Sequence, residues 1–132
     1  MRVAFTSTDG EQVDRHFGEA EHFYVWEVGP ESAAFVERVS AITRAEDEED
    51  RIAARASAVA GCAIVYTVQI GGPAAAKLVG RKIHPMKTQD PVPVAELVGK
   101  LQQVLRGSPP PWLRKAMGMA PATGAERFAA EE

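Results

Sequence analysis

A polar loop near the start of the chain carries the residues best suited to chemistry. Residues 7–18 lie between two strand-like runs and combine hydroxyl, carboxylate and guanidinium side chains with two glycines and His16. A plain hairpin needs only a short turn, and a longer loop with these groups is more often a site than a connector. The imidazole could ligate a metal, act as a base or form pH-sensitive hydrogen bonds. The loop by itself leaves those roles open.

Composition and charge limit the class of protein. The 132 residues suffice for one domain with a core, and 45% hydrophobic with 25% charged residues is ordinary for a soluble globular protein. The net charge of −3 disfavours nucleic acid as the main partner, because phosphate binding needs a basic face. No apolar run is long enough for a membrane span. The single cysteine, Cys62, excludes an internal disulfide, and the strand-like start at Met1 predicts a cytoplasmic protein without a signal peptide.

Five runs of residues predict strands. The first three are Arg2–Thr6, His22–Val28 and residues 34–41, and their short connections favour an antiparallel meander. Residues 62–68 form a nearly continuous apolar run, which is typical of a strand buried on both faces in a parallel pair. Residues 81–86 predict a fifth, shorter strand.

Three stretches predict helices. Residues 43–46 resemble a capping box, and the acidic residues 46–50 suit the first turn of a helix that Gly61 ends. The acidic run has no histidine beside it, so a solvated helix face is favoured over a metal site. Residues 74–79 predict a second, short helix, and residues 93–105 predict a third, amphipathic helix.

The order of these elements predicts one mixed sheet with helices on its faces. Right-handed crossovers would make the first, fourth and fifth strands parallel. Their carboxyl ends then share one edge, which is where ligands of such sheets bind. We expect that edge to collect residues 7–9, the loop around His16, residues 69–72 and residues 84–87.

Five short motifs, taken in order, carry a family resemblance. They are the opening residues 1–10, Asp-Arg-His-Phe-Gly at 14–18, Ile-Gly-Gly-Pro-Ala-Ala at 70–75, Ile-His-Pro-Met-Lys at 83–87 and Pro-Pro-Trp-Leu at 110–113. Each motif is weak alone, but together they span most of the chain in a specific order. The chain resembles the NifX/NafY-type carriers of nitrogenase iron–molybdenum cofactor biosynthesis, and the match is closest to the NifX members.

The resemblance implies a ribonuclease H-like three-layer α/β fold, with a five-stranded mixed sheet and helices on both faces. It implies a protein, not an enzyme, that carries an iron–sulfur precursor of the iron–molybdenum cofactor, or the cofactor itself, as transiently bound cargo. The implied partners are the precursor-forming enzyme and the scaffold of cofactor assembly, with no nucleic acid, no membrane and a monomeric carrier. The alternative is a protein-interaction or regulatory module of nitrogenase assembly without its own cluster.

The family's cluster-binding histidine carries over to His16, which we expect to ligate the metal. Gly71 and Gly72 could form only a sharp turn, or could present N–H groups and a helix dipole to an anion. His84 is either a partner behind the ligand or a packed histidine. The expected cofactor-binding residues are Ser7, Thr8, Asp9, Arg15, His16, Gly71, Gly72, His84 and Lys87.

Other candidates are expected to be structural. Thiolates are the usual ligands of iron–sulfur clusters, but Cys62 begins its strand at the end of the sheet away from the His16 loop, so we expect a buried packing role. His22 opens a strand and is expected at the surface or at an interface. Two-metal hydrolysis needs carboxylates clustered at the strand ends, and Asp9 stands alone there.

The chain is predicted to divide near residue 107. Residues 1–107 would form a single α/β cofactor-binding domain, and residues 108–132 a proline-rich, partly disordered C-terminal tail. Residues 109–115 combine stiff prolines with Trp112 and two basic side chains. This segment either docks on a partner or braces the domain by folding Trp112 back onto it.

Overall fold

The computed structural model of the chain describes residues 1–116 and contains seven strands and four helices within them. In chain order the elements are β1 (Arg2–Thr6), β2 (Gln12–Val13), β3 (His22–Val28), β4 (Ala33–Ser40), α1 (Glu48–Ala58), β5 (Cys62–Thr67), α2 (Gly72–Gly80), β6 (His84–Lys87), β7 (Val92–Pro93), α3 (Val94–Arg106) and α4 (Pro111–Ala116). Among these residues, none of the helices has the length and hydropathy to cross a membrane.

The main sheet is mixed, as predicted. Its five strands run in the order β4-β3-β1-β5-β6. The first three strands of this order pair antiparallel, and β1, β5 and β6 pair parallel. The meander and the parallel set are therefore confirmed. The short strands β2 and β7 pair with each other in a separate two-stranded ribbon, which the sequence pattern did not predict.

The sheet separates two hydrophobic clusters, and this makes the fold three-layered. Alternate residues of β1 point to opposite faces, as strand geometry requires. Val3 and Phe5 pack in the cluster that contains the apolar residues of α3 and α4. Ala4 packs in the cluster that contains the apolar residues of α1 and α2. The predicted α/β fold with helices on both faces is confirmed.

The N-terminus of α1 differs from the predicted capping box. Asp47 is the N-cap, and its Oδ2 accepts from the backbone N–H groups of Glu49 (3.1 Å) and Asp50 (3.3 Å). The Thr43 hydroxyl instead accepts from the N–H of Ala45 at 3.1 Å in a local turn. The predicted capping box was wrong: the helix begins at Glu48, and Asp47, another residue type strongly preferred at this position, is its N-cap. The acidic first turn is exposed to solvent, as expected.

The boundaries around β6 also differ from the prediction. Helix α2 starts at Gly72, two residues before the predicted start, and Arg81 is its C-cap. The N–H of Ile83 donates to the Leu78 carbonyl at 2.9 Å, so residues 81–83 close the helix instead of opening the strand. Strand β6 consequently begins only at His84.

The segment that follows α3 packs back onto the domain. Leu113 of α4 is only 2% exposed and belongs to the same hydrophobic cluster as Phe5 and Leu101. The Trp112 ring stacks on the imidazole of His84, with ring centroids 3.9 Å apart and planes 15° apart. Residues 111–116 therefore brace the domain. The division at residue 107 stays a prediction, and the disorder predicted for the tail falls largely on residues 117–132, outside the described residues.

Cys62 lies at the start of β5 and is 6% exposed, which places it in the core as expected. Burial raises the pKa of its thiol to about 11. The thiol is therefore neutral near pH 7, whereas the metal-ligating form is the thiolate. A neutral, buried sulfur acts as a small apolar side chain.

We expect Cys62→Ala to lower the free energy of unfolding by roughly 1 kcal/mol, the scale of a small core truncation. Urea unfolding followed by circular dichroism measures this change. In the native wild-type chain, iodoacetamide should alkylate Cys62 far more slowly than in urea-unfolded chain. Rapid alkylation of the native protein at pH 7 would contradict the buried, neutral thiol.

We expect Leu113→Ala to destabilise the protein by about 2–5 kcal/mol, because the substitution opens a cavity in the core. Trp112→Ala is the matched control on the same helix, and its cost should be smaller because Trp112 is 37% exposed. Thermal unfolding of both variants measures the difference. Equal melting temperatures for Leu113→Ala and wild type would show that α4 does not brace the domain.

Candidate functional site

Two buried threonines mark the carboxyl ends of β1 and β5. Thr6 and Thr67 are both 0% exposed, and their hydroxyl oxygens lie 3.1 Å apart. The Thr6 hydroxyl donates to the carbonyl oxygen of Arg15 at 2.8 Å. The Thr67 hydroxyl lies 3.2 Å from the carbonyl oxygens of Arg15 and Gln69. This pair links the sheet edge directly to the backbone of the polar loop.

The backbone on either side of His16 is anchored. The N–H of Val68 donates to the Arg15 carbonyl at 3.2 Å, and the N–H of Phe17 donates to the Gln69 carbonyl at 2.8 Å. The Phe17 side chain is 1% exposed and packs on Phe23, with ring centroids 5.5 Å apart. His16 therefore sits between two residues that cannot move independently of the sheet.

The His16 side chain itself is open. Its exposed fraction is 52%, and its Nδ1 lies 3.9 Å from the carboxylate of Glu19, too far for a hydrogen bond. The His16 carbonyl accepts from the N–H groups of Glu19 (3.1 Å) and Ala20 (3.0 Å), which makes a tight turn. The main chain is thus held while the imidazole stays accessible to a ligand.

Helix α1 contributes two arginines that sequence reasoning missed. The Arg55 Nη1 donates to the carbonyls of Phe17 (3.0 Å) and Ala20 (2.7 Å), so this side chain ties the His16 turn to the helix. Burial lowers the pKa of Arg55, and the charge of Arg51 one turn earlier lowers it further. Arg51 is exposed beside it. Their spacing of four residues places both on one helix face, but the sequence does not indicate that this face meets the His16 turn.

Gly71 lies beside the His16 turn, as expected. Gly71 is the N-cap of α2, with an extended backbone (φ −74°, ψ 158°) and no side chain to cap the helix. Gly72 is the first residue of α2. A cavity of about 110 Å³ is lined by Gly71, Phe17, Arg51 and Arg55, among others. Two guanidinium groups and a helix N-terminus, which favours anions, therefore flank the turn that follows His16.

The first half of the loop uses its carboxylates internally. Asp9 Oδ1 accepts from the N–H of Glu11 at 2.9 Å, and this hydrogen bond is the main cause that lowers the pKa of Asp9. Asp14 Oδ1 accepts from the backbone N–H (2.9 Å) and the hydroxyl (3.2 Å) of Thr8. These oxygens order the loop, which leaves them poorly placed to act as metal ligands.

Gly10 has a steric role in the same loop. Its φ is +85°, a backbone conformation that favours glycine. A Cβ at this position would lie 2.7 Å from the ring of Tyr24. Ser7 is only 2% exposed, and its hydroxyl oxygen accepts a hydrogen bond from the N–H of Gly10 at 2.8 Å. This part of the loop is therefore packed against Tyr24 of the sheet.

A second histidine lies near this edge. Ser7, Thr8, Arg15 and His22 line a polar cavity of about 240 Å³, together with Glu21. The sequence pattern had favoured a surface or interface position for His22. The antiparallel pairing of β1 and β3 could have indicated this location, because it places the start of β3 beside the end of β1.

Strand β6 brings Lys87 to the edge but not His84. Lys87 pairs with Thr67 at the carboxyl end of β5, whereas His84 pairs with Ile64 three residues earlier. The expectation that residues 84–87 all lie at this edge was wrong for His84, because β6 begins there and runs toward the site. Its imidazole is stacked on Trp112 instead. Cys62 lies at the start of β5, also away from this edge.

Within residues 1–116, no three histidine, cysteine or carboxylate side chains converge as a metal site would require. Around this edge lie the exposed imidazole of His16, a polar cavity lined by Arg15 and His22, a second cavity lined by Arg51 and Gly71, and Lys87 at the end of β6. Such an arrangement can give a single nitrogen ligand to a metal and several positive contacts to an anion.

Comparison with known proteins identifies the family. The family model described as dinitrogenase iron-molybdenum cofactor matches residues 1–104. Protein NifX of Herbaspirillum seropedicae is 40% identical over 119 residues, which cover 89% of this chain and 82% of that protein. Protein NifX of Rhodobacter capsulatus is 40% identical over 124 residues, covering 89% and 78%. Protein NifY of Azotobacter vinelandii is 40% identical over 121 residues, which span 92% of this chain but only 50% of that protein.

A solved structure supports the fold. The crystal structure of PH0822 superposes with a TM-score of 0.62 at 23% sequence identity, covering 78% of this chain and 89% of that chain. At this identity the likeness concerns the fold alone. The family match covers the whole sheet, the His16 loop and nearly all of α3. The chain therefore belongs to the dinitrogenase iron–molybdenum cofactor family, among its NifX-type members.

Proposed function

We propose that this protein carries an iron–sulfur precursor of the nitrogenase iron–molybdenum cofactor, or the cofactor itself, between assembly proteins in the cytoplasm. The proposal is supported by family membership, which places the chain in iron–molybdenum cofactor biosynthesis. The single observation that carries it is the geometry of His16, an open imidazole on an anchored backbone.

His16 is the proposed metal ligand. A neutral imidazole offers one nitrogen lone pair, which suits iron and molybdenum. Because Arg15 and Phe17 are both hydrogen-bonded to the β5 end, binding orders only the His16 side chain. Little conformational entropy is therefore lost when the cargo binds. A single ligand also leaves the cargo exchangeable, as transfer to an acceptor requires.

The surrounding charges suit an anionic cargo. Lys87 ends β6, Arg15 lies in the loop and lines the polar cavity, and Arg51 lies beside the His16 turn. The N–H groups at the start of α2 add a positive end at Gly71 and Gly72. Ser7 and Thr8 line the neighbouring polar cavity. In this proposal these groups surround the cargo electrostatically, while His16 alone coordinates it.

The proposed role is carriage without conversion of the cargo. Holding and releasing a cluster needs one exchangeable ligand and nearby positive charges. His16 is the proposed ligand, and Arg15, Arg51 and Lys87 are the proposed charges. The precursor-forming enzyme and the assembly scaffold are the proposed donor and acceptor.

We expect His16→Ala to weaken cargo binding by roughly tenfold or more, or about 1.4 kcal/mol, because the only proposed ligand is lost. The measurement is anaerobic titration with isolated iron–molybdenum cofactor, followed by iron and molybdenum analysis after gel filtration. His22→Ala is the matched control, since His22 lies at the same edge but is not the proposed ligand. Its cofactor retention should equal that of wild type.

Two outcomes of this titration would contradict the proposal in different ways. Undiminished retention by a folded His16→Ala variant would remove His16 as the ligand. Failure of the wild-type protein to retain iron from either the cofactor or its isolated precursor would favour an interaction module without its own cluster. Circular dichroism checks that each variant keeps the fold.

We expect Arg51→Gln to weaken cofactor binding by roughly two- to fivefold, the scale of an exposed charge contact. The variant should also lower the dependence of affinity on salt, because screening acts on that contact. Arg38→Gln on β4 is the control, because Arg38 lies on the edge strand far from β5 in the sheet order. Equal affinities and equal salt slopes for wild type and Arg51→Gln would exclude Arg51 from the site.

A further inference from the structure

An apolar cavity lies on the α3–α4 side of the sheet. Its volume is about 490 Å³, and its walls include Ile64, Met86, Leu97, Leu101, Trp112 and Leu113. Pockets for small molecules commonly measure roughly 300–1,000 Å³ and have mostly apolar walls. Residues 14–18 do not line this cavity, so it is separate from the His16 loop.

One hydroxyl that lines this cavity has no protein hydrogen-bond partner among residues 1–116. Tyr66 lines the cavity, is only 7% exposed, and stacks its ring on Phe5 with centroids 5.3 Å apart and planes 6° apart. Within residues 1–116 the Tyr66 hydroxyl makes no hydrogen bond, and burial alone raises its pKa. The Tyr66 residue is buried as a whole, but its hydroxyl oxygen still reaches solvent through the cavity. A ligand with a hydrogen-bond acceptor would take the place of solvent as the partner of this hydroxyl.

The mouth of the cavity offers one uncompensated positive charge. Glu96 and Lys100 both line it and form an ion pair with an N–O distance of 3.1 Å. Lys87 also lines the mouth, is exposed, and has no ion-pair partner among the described residues. Tyr66 pairs with Met86 in the β5–β6 register, so Lys87 is one residue from the position opposite Tyr66. Tyr66 and Lys87 thus both line one predominantly apolar space.

We propose that this cavity binds a small amphipathic carboxylic acid of the medium-chain fatty acid type. The carboxylate accepts a hydrogen bond from the Tyr66 hydroxyl and lies against the Lys87 ammonium group. The aliphatic chain extends among the side chains of Leu97, Leu101 and Leu113. Apolar volume, an unpartnered donor and one free cation are the three features that such a molecule matches together.

The test is calorimetric titration of the full-length, cargo-free protein with sodium decanoate, and in parallel with 1-decanol. Tyr66→Phe removes the hydroxyl and keeps the ring. Val104→Trp narrows the mouth at a position that is 41% exposed, so the core is left intact. Lys87→Gln removes the charge. Ile42→Trp, at a position that is 68% exposed and does not line the cavity, is the matched control.

We expect decanoate to bind wild type and Ile42→Trp equally. Val104→Trp should abolish measurable binding, and Tyr66→Phe should weaken it roughly tenfold. Lys87→Gln should weaken decanoate binding by roughly threefold more than decanol binding, because only the acid carries a charge. Since the measurement uses no cofactor, its result is independent of the proposed role of His16.

Three results would overturn the proposal. The first is no binding of decanoate or decanol to the full-length protein. The second is equal affinity in wild type, Val104→Trp and Tyr66→Phe, which would place the ligand elsewhere. The third is binding that appears only in Phe128→Ser, where the one aromatic residue of 117–132 is removed. That result would assign the cavity to the chain's own C-terminal residues.

Discussion

The buried hydroxyl pair of Thr6 and Thr67 is the constraint on which the candidate site depends. Both side chains are fully buried at the ends of two parallel strands, and a buried hydroxyl must find a hydrogen-bond partner. The partners are main-chain carbonyls of Arg15 and Gln69. The bonds that satisfy the core therefore also fix the loop, and the position of the loop is a consequence of sheet formation.

The same constraint determines which side chain of the loop faces solvent. Arg15 and Phe17 are both hydrogen-bonded to the segment after β5, so the backbone on either side of His16 is held in one register. Phe17 is buried and His16 is exposed. A slip of one residue would bury the imidazole and expose the aromatic ring, and both changes cost free energy. Burial of the Phe17 side chain is therefore sufficient to leave the His16 side chain exposed to solvent.

Much of this arrangement could be predicted from the sequence, because its causes are local. The β-rich runs and the apolar strand gave the mixed sheet, and its parallel strands place the His16 loop at one edge. Competing local signals moved boundaries: Asp47 caps α1 in place of Thr43. Features that depend on distant contacts could not be read this way. The stacking of His84 on Trp112 joins residues that are far apart in the chain. The hydrogen bonds from Arg55 to the His16 turn do the same.

The proposed cargo site and the apolar cavity lie in different parts of the fold. The proposed cargo site lies at the strand ends, where rigid backbone and open side chains allow binding and release without rearrangement of the core. The apolar cavity lies between the sheet and α3–α4, where a ligand would contact Leu113 and the α4 helix that braces the domain. Lys87 is the one predicted site residue that also lines this cavity. A molecule bound there would compete with the cargo for the Lys87 ammonium group. Occupancy of the cavity would therefore reduce the positive charge available to the cargo, while His16 would remain free to coordinate it.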